Sequence, residues 1–509
     1  MNRPADGLSP VQTSARVGAG HTRSVDHRRG WTAVAAREPF LVLVLAIDAV
    51  ILVFRPWTRI RSDTWLALVA GRLVSDDWLP HHDTLTVWAH GKTWVDQQWL
   101  GQLFFYWLHA LGGMRLLLLV HVALLVAGLA LALVYARRSG GSSRSVALVG
   151  LLGLVVALPN SAARTQTFAY VLFVVLFWLL AADGRAPSWR VLLALPLLVF
   201  WANVHGSAIL GVGLVLLWAA AAVIGCGRRL DPAAWRSRGR AVMVAVAAPV
   251  CLFVSPYGLA LGSYYSDVLS SSAFRDLVSE WQATTFPRQA PFFVLALGAF
   301  WLSARKPRTL SVFEHLALLC TLLAGLDAIR NIVWFALVAV MVVPRALDAV
   351  WPVDDAPVRE RVNIVISTAA GAAVVIAFAL AASHPAASYA RGYPDEGASA
   401  VAAYVNGHPE ARIFANEAFS DWLLWKAPEL SGRVAFDARF ELLNSRQLHA
   451  IADFRRMESP RLGAAAGYRV LVLDPRLEKR AIAMLSAEPG VSLLYRDRDV
   501  TVLARNDLR

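Results

Sequence analysis

The sequence predicts an α-helical polytopic membrane protein, with about eleven transmembrane helices and a small α/β domain at its C-terminus. Three observations predict it. The 509 residues are 57% hydrophobic and only 17% charged, whereas a soluble domain carries about 25% charged residues. Almost uncharged runs recur from Phe40 to Ala382, many of them near the ~20 helical residues needed to cross a hydrocarbon core. From His384 the composition changes to that of a soluble domain. The mean hydropathy of +0.50 excludes a secreted enzyme, a cytosolic enzyme and a disulfide scaffold. Cys226, Cys251 and Cys320 lie in or beside apolar runs without metal-ligand spacing and read as small core residues.

Residues 1–37 are polar and Arg-rich and lack the apolar region and cleavage site of a signal peptide, so a disordered cytoplasmic tail is expected. A transmembrane domain follows over 38–383. Its spans are expected near 39–54, 115–136, 145–158, 166–182, 190–204, 206–225, 241–254, 289–303, 311–327, 331–346 and 363–382. Two longer outer segments, 55–113 and 256–288, interrupt it.

The formal charge of +13 is nearly all arginine; the lysines are Lys92, Lys306, Lys426 and Lys479. The arginines lie between apolar runs and are not gathered in one basic stripe, which argues against a nucleic-acid partner. With the N-terminus inside, the inner short loops hold sixteen Arg and Lys residues, and the outer ones only Arg164, Arg275, Arg288 and Arg330. Positive charge stays on the cytoplasmic side. An odd number of spans then puts the 55–113 loop and residues 384–509 on the outer face.

The first outer loop holds seven of the nineteen tryptophans, between Trp57 and Trp107, and tryptophan favours the headgroup level. Asp63–Trp78 reads as an amphipathic helix with Trp65, Leu66, Val69, Leu73 and Trp78 on one side. Pro80-His-His-Asp83 ends it, and Trp94-Val-Asp-Gln-Gln-Trp-Leu100 opens a second helix reaching His109. Asp63, Asp83 and Asp96 are candidate acids, either taking a proton from an acceptor as general base or ligating a divalent metal beside a phosphate. Solvated charge and helix capping are the alternatives. His81 and His82 lack a third ligand at helical spacing. Gln98 and Trp99, at the start of the second helix, are candidate substrate contacts.

Further polar clusters fall at outer turns: Arg164-Thr-Gln-Thr-Phe168, Trp201-Ala-Asn-Val-His-Gly206, Ser255-Pro-Tyr-Gly258 and Asp327-Ala-Ile-Arg-Asn331. Topology disfavours arginine here, so Arg164 and Arg330 either pair with a phosphate or snorkel to headgroups. His205 either contacts that phosphate or closes a helix end. Tyr257 is a candidate substrate contact, and the Leu259–Gln289 segment, with Tyr264, Tyr265, Asp267, Arg275, Glu280 and Trp281, either closes over a substrate groove or forms an interface helix. Asp48, inside the first span, is a functional candidate by default, or else a bundle hydrogen-bonding group.

In residues 384–509, Arg412–Ala415, Arg433–Asp437, Arg469–Asp474 and Val491–Tyr495 read as strands, with helices at Glu396–Asn406 and Glu478–Ala487. Their alternation predicts a largely parallel sheet, without a Gly-rich phosphate loop. Asp437 and Arg439, at a strand end, suit either acceptor binding or an internal ion pair.

The acid of Asp63-Thr-Trp65, the run Asp76-Asp-Trp-Leu-Pro-His-His-Asp83 and the helix opening Trp94-x4-Trp99-Leu100 resemble type C glycosyltransferases. The similarity is closest to bacterial members related to protein O-mannosyltransferases and lipid A aminoarabinose transferases, over roughly residues 39–440. The resemblance implies a hexosyl or pentosyl transferase of the cell envelope, in the bacterial inner membrane. Its donor would be a polyprenyl-phosphate sugar, with Asp63 catalytic and Arg164, Arg330 and His205 at the donor phosphate. Asp83, Asp96, Gln98, Trp99, Tyr257, Glu280, Asp437 and Arg439 would contact substrate. Thr64 stands where relatives carry the second acid of an Asp-Glu pair, so a divalent metal is left open and no cofactor is assigned. The acceptor is a glycan, a lipid or a protein. The competing classes are a transporter or flippase for a lipid-linked saccharide and a non-catalytic envelope assembly protein.

Overall fold

The computed structural model describes residues 30–55, 60–77, 79–226, 232–270, 278–352, 359–456 and 463–506. Most of the expected tail, together with Trp57, Trp78 and Arg275, lies outside these. Gly30–Arg37 forms a helix, α1, although tail was expected as far as residue 37. It docks on the last span: Ser367 Oγ and Asn363 Nδ2 donate to the carbonyls of Ala35 and Ala36.

Among the described residues a helix stands at each of the eleven expected positions. They are α2 (Pro39–Phe54), α4 (Trp99–Arg138), α5 (Ser143–Ala157), α6 (Gln166–Arg185), α7 (Ala194–Val204), α8 (Ala208–Cys226), α9 (Pro232–Cys251), α11 (Ala290–Arg305), α12 (Val312–Asp327), α13 (Ile332–Val350) and α14 (Glu360–Ser383). Six stretches are long and apolar enough to cross a membrane, and three apolar helices are shorter. The chain is a multi-pass membrane protein. At its centre stands α13, buried at every residue from Ile332 to Pro344. A helix that is apolar on all sides belongs inside a bundle, and α4, α5, α11 and α12 surround it.

Two helices were expected at the membrane surface. The first, α3 (Ser62–Asp77), buries Trp65 through Ala70 against α4. The first thirteen residues of α4 are the second; the helix then breaks at Gly112–Gly113, where Gly113 has φ +64°, a conformation that only glycine adopts without strain. Residues 94–98, expected to be helical, form the loop before it. At Gly71 a Cβ would stand 2.3 Å from the Gln102 carbonyl oxygen, so the α3–α4 crossing requires the missing side chain. Ala260–Ser270 forms α10.

The C-terminal segment holds α15 (Asp395–Gly407), β1 (Ile413–Ala415), α16 (Glu417–Lys426), α17 (Ser445–Arg456), β2 (Val470–Leu473), α18 (Lys479–Ser486), β3 (Val491–Arg496) and β4 (Thr501–Arg505). The sheet order is β1-β2-β4-β3, and only β1–β2 is parallel. The expectation of a largely parallel sheet is thereby corrected: Thr501–Arg505, read as no element, returns as the second arm of a hairpin. Arg433–Asp437 is likewise not a full strand. Val434 bridges Ile413 on one side and Thr86 of the first outer loop on the other.

That bridge joins the 55–113 loop to the C-terminal segment. Val87 N and Trp88 N donate to the carbonyls of Val434 and Ala435, and Gly432 N to that of Leu85. Arg72 of α3 donates to the carbonyls of Leu424 and Trp425 at the end of α16 and stacks 4.9 Å above the Trp425 ring. A cation there satisfies carbonyls that have no helical partner.

Candidate active site

Between one end of the bundle and the C-terminal segment lies a cavity of about 1090 Å³. Asp63, Arg164, His205 and Arg330 all line it, as do Gln98, Glu280 and Arg439. Four separate stretches of chain thus bring the expected base and the three expected phosphate ligands into one space.

Asp63 sits in the first turn of α3. Its neighbour Thr64 is fully buried and donates from Oγ1 to the Ala163 carbonyl at 2.5 Å. This bond ties the start of α3 to the buried turn before α6, which carries Arg164. Arg164 Nη1 donates to Glu280 Oε2 at 2.7 Å and to Asp63 Oδ2 at 3.5 Å, while its Nε and Nη2 have no partner. Half of the Asp63 side chain faces the open cavity. Loss of bulk water inside the cleft nevertheless raises its pKa above the ordinary 3.8, and the charge of Arg164 only partly reverses this. For Glu280 the balance is opposite. Burial pushes its carboxyl up, but Arg164, Arg330 and Arg61 outweigh this and hold it below its usual range.

Glu280 and Trp281 occupy a single 3-10 turn, Ser279–Trp281. Ile329 N donates to the Gln282 carbonyl, and Thr284 N to that of Leu326, so this turn is held against the Ile329–Asn331 turn. The guanidinium of Arg330 consequently lies 4.4 Å above the Trp281 ring. A flat cation fixed on an aromatic face keeps its edge donors free for an anion.

His205 follows the last residue of α7. Its Nδ1 accepts from Ser207 N at 3.0 Å and lies 2.8 Å from Ser207 Oγ. Burial, with Arg330 and Arg164 adding to it, lowers its pKa well below the ordinary value. A neutral imidazole whose Nδ1 accepts carries its proton on Nε2. His205 is thus a neutral hydrogen-bond donor from Nε2.

The other expected contacts divide. Gln98 lines the cavity and accepts from Thr165 Oγ1 at 2.6 Å. Trp99 does not; its Nε1 donates to Asn203 Oδ1 and pins α4 to α7. Tyr257 donates to the Pro80 carbonyl, also away from the lining. Asp96 is buried behind the wall, and burial pushes its carboxyl up to about 7. Asp83 and Asp437 are buried as well, and both bind Arg439, whose guanidinium lies 4.1 Å from the Trp94 ring. This is the internal ion pair that stood as the alternative at Asp437 and Arg439, and it includes Asp83. Asp48 is buried in α2 beside a separate apolar pocket of about 60 Å³. His81 and His82 are exposed on their turn.

Sequence reasoning did not single out Gln97, which donates to the Tyr264 hydroxyl at 2.6 Å, nor Arg61, Arg391, Tyr393 or Glu441, which also line the cavity. The position of Arg61 two residues before Asp63 was a usable signal; the others come from remote segments.

The donor set around Asp63 does not fit a divalent cation. Its nearest second carboxylate, Glu280, is bound by Arg164, a further guanidinium lies beside them, and no three His, Cys, Asp or Glu side chains group as ligands among the described residues. A buried Thr64 that donates to a backbone carbonyl leaves no place for the second acid of an Asp-Glu pair.

No family profile and no curated protein sequence matches the chain. Solved structures do. The archaeal oligosaccharyltransferase AglB from Archaeoglobus fulgidus, in complex with an inhibitory peptide and a dolichol-phosphate, aligns at 11% identity and TM-score 0.50, over 94% of this chain and 75% of that one. Its apo form aligns at 11% identity and TM-score 0.50, over 92% and 74%. The chain shares its overall fold with this oligosaccharyltransferase. ArnT from Cupriavidus metallidurans bound to undecaprenyl phosphate is also similar, at 12% identity and TM-score 0.48, over 94% of this chain and 98% of that one.

Proposed function

We propose that the chain is a membrane glycosyltransferase that moves a sugar from a polyprenyl-phosphate donor to an acceptor at the outer face. The observation that carries this reading is the meeting of Asp63, Arg164, His205 and Arg330 in one cavity. Its volume suits a sugar phosphate together with part of an acceptor. AglB, of the same fold, was solved with a dolichol-phosphate, a lipid phosphate of the class proposed for the donor.

In the proposed reaction the donor phosphate lies against Arg330, with the positive charge of Arg164 in the cavity wall beside it and His205 donating from Nε2. Arginine binds phosphate oxygens through paired donors. An acceptor hydroxyl or amine attacks the anomeric carbon, and its proton passes to Asp63. The bond from that carbon to the phosphate oxygen breaks, the electron pair leaves with the lipid phosphate, and the anomeric carbon inverts. A raised carboxylate pKa strengthens Asp63 as base, and the guanidinium groups stabilise charge growing on the leaving phosphate. The transferred sugar is a hexose or a pentose.

The same reading places the N-terminus in the cytoplasm and the cavity outside, in the inner membrane of a bacterium. The arginine distribution supports that orientation. The test is Asp63→Asn in purified protein, assayed with a panel of polyprenyl-phosphate sugars. Transfer should fall by roughly 10²–10⁴-fold. Undiminished transfer sinks the base assignment, and no turnover of any donor by the unaltered protein favours a transporter or an assembly role.

A further inference from the structure

The charge arrangement of the cavity leaves a second anion-binding position. Eight arginines and seven carboxylates line the space; among the described residues five of the arginines and four of the carboxylates form ion pairs, while Glu441, Asp474 and Glu478 form none. Arg164 serves Glu280 and Asp63, Arg455 serves Glu417, and Arg476 and Arg498 both reach Asp499. Arg439 is neutralised from behind the wall by Asp83 and Asp437. Among the described residues, three lining guanidiniums form no ion pair: Arg61, Arg330 and Arg391. Arg330 lies on Trp281 and belongs to the donor end. Arg61 and Arg391 remain.

These two share one wall, although 330 positions separate them in the chain. Trp65 and Tyr393 meet edge-to-face, with ring centroids 5.2 Å apart. Arg61 precedes Trp65 by one turn, its carbonyl accepting from Trp65 N, and Arg391 precedes Tyr393 by two residues. The aromatic contact therefore holds α3 and the linker into the C-terminal segment together, and brings both arginines to the cavity. Both are exposed to it. Arg61 acts on Glu280 only at longer range, and a guanidinium that holds no carboxylate in an ion pair keeps its donors for an incoming anion.

We infer that the acceptor carries an anionic group, a phosphate or a carboxylate, held between Arg61 and Arg391. This rests on the transferase reading and names the acceptor's chemical class. Arg61 lies two residues before Asp63, so an anion bound there positions a neighbouring hydroxyl of the same molecule near the base. The donor and acceptor anions are then bound by different arginines, and occupancy of one leaves the other available.

The test separates the two sites. Full-length protein in phosphatidylcholine nanodiscs is first titrated with decaprenyl phosphate to saturation. It is then titrated in one arm with glucose 6-phosphate, and in the other prepared with phosphatidylglycerol added to the disc. Saturable uptake in the first arm identifies a soluble anionic acceptor, and in the second a lipid headgroup. In whichever arm it occurs, Arg61→Gln/Arg391→Gln should weaken it by about tenfold or more, with decaprenyl phosphate affinity changed less than about twofold. Arg61→Lys/Arg391→Lys should recover part of the loss. An unchanged second affinity in the Gln variant, or no second binding in either arm, overturns the inference. Failure of the unaltered protein to bind decaprenyl phosphate would instead sink the donor reading. A melting temperature for each variant separates lost binding from lost folding.

Discussion

Thr64 and Ala163 are joined by one buried hydrogen bond, and that bond makes neighbours of two charged residues 101 positions apart. Asp63 precedes the donor and Arg164 follows the acceptor. Thr64→Val keeps the shape but leaves a buried carbonyl without its partner, which costs about 1–3 kcal/mol. The variant should remain folded, with a lower melting temperature. Transfer should fall mainly in kcat, since the base is displaced and the donor ligands remain. An unchanged kcat would show that Asp63 needs no such anchoring.

The rate should depend on pH through Asp63. The ionised carboxylate is the active form, and burial raises its pKa above 3.8. Activity is therefore full above the raised value and is lost as pH falls through it. The acid limb of kcat/KM should lie above pH 3.8. Arg164 lowers this pKa, so Arg164→Gln should move the limb further upward; a downward shift would contradict the assigned balance.

Arg330 on Trp281 should act on donor affinity. Arg330→Ala removes a charge-assisted phosphate contact of about 1.5–3 kcal/mol, raising the donor KM by roughly 10–150-fold. Trp281→Leu, which removes only the platform, should raise it less. Equal KM values for the unaltered protein and Arg330→Ala would remove this residue from the donor site.

Arg439 should matter to stability. With Asp83 and Asp437 buried around it, Arg439→Met strands two carboxylates and should cost about 3–5 kcal/mol. The expected readouts are a lower melting temperature and faster proteolysis of residues 384–509. A variant as stable as the parent would show that the triad does not hold the C-terminal segment in place.

Chelation gives a fifth measurement. Because Glu280, the carboxylate that shares Arg164 with Asp63, is held by that arginine, EDTA should leave the rate of transfer unchanged. Loss of activity that Mg²⁺ or Mn²⁺ restores would refute the donor-set argument.

Much of this was legible in the sequence because a membrane sorts residues by cost. An arginine at an outer turn is conspicuous among apolar spans, so Arg164 and Arg330 stood out, and Asp63 and Glu280 stood out as outer acids. Helix placement was legible for the same reason. The Asp83–Arg439–Asp437 triad was not, because a buried ion pair and a ligand site use the same residue types and differ only in what covers them. Arg391 and Glu441 lacked a signal of their own, since the cavity wall to which they belong exists only once distant segments meet. β4 was overlooked because its partner choice depends on the hairpin turn before it, and the sheet's direction was misread with it.

The bridge between Thr86 and Val434 bears on how the protein is made. Lys92 Nζ donates to the Leu442 carbonyl, and 350 positions separate them. At ~5–20 residues per second, the ribosome takes about 20–70 s to supply that partner. Throughout this interval the backbone edge of residues 85–88 lacks the partner it has in the folded chain. Residues made some 350 positions later thus complete the surface of the 55–113 loop. A nonsense mutation shortly after Ser383 would retain α2 to α14 and still leave the Thr86 edge open and the cavity without the wall that Asn416–Phe419 and Ala438–Glu441 provide.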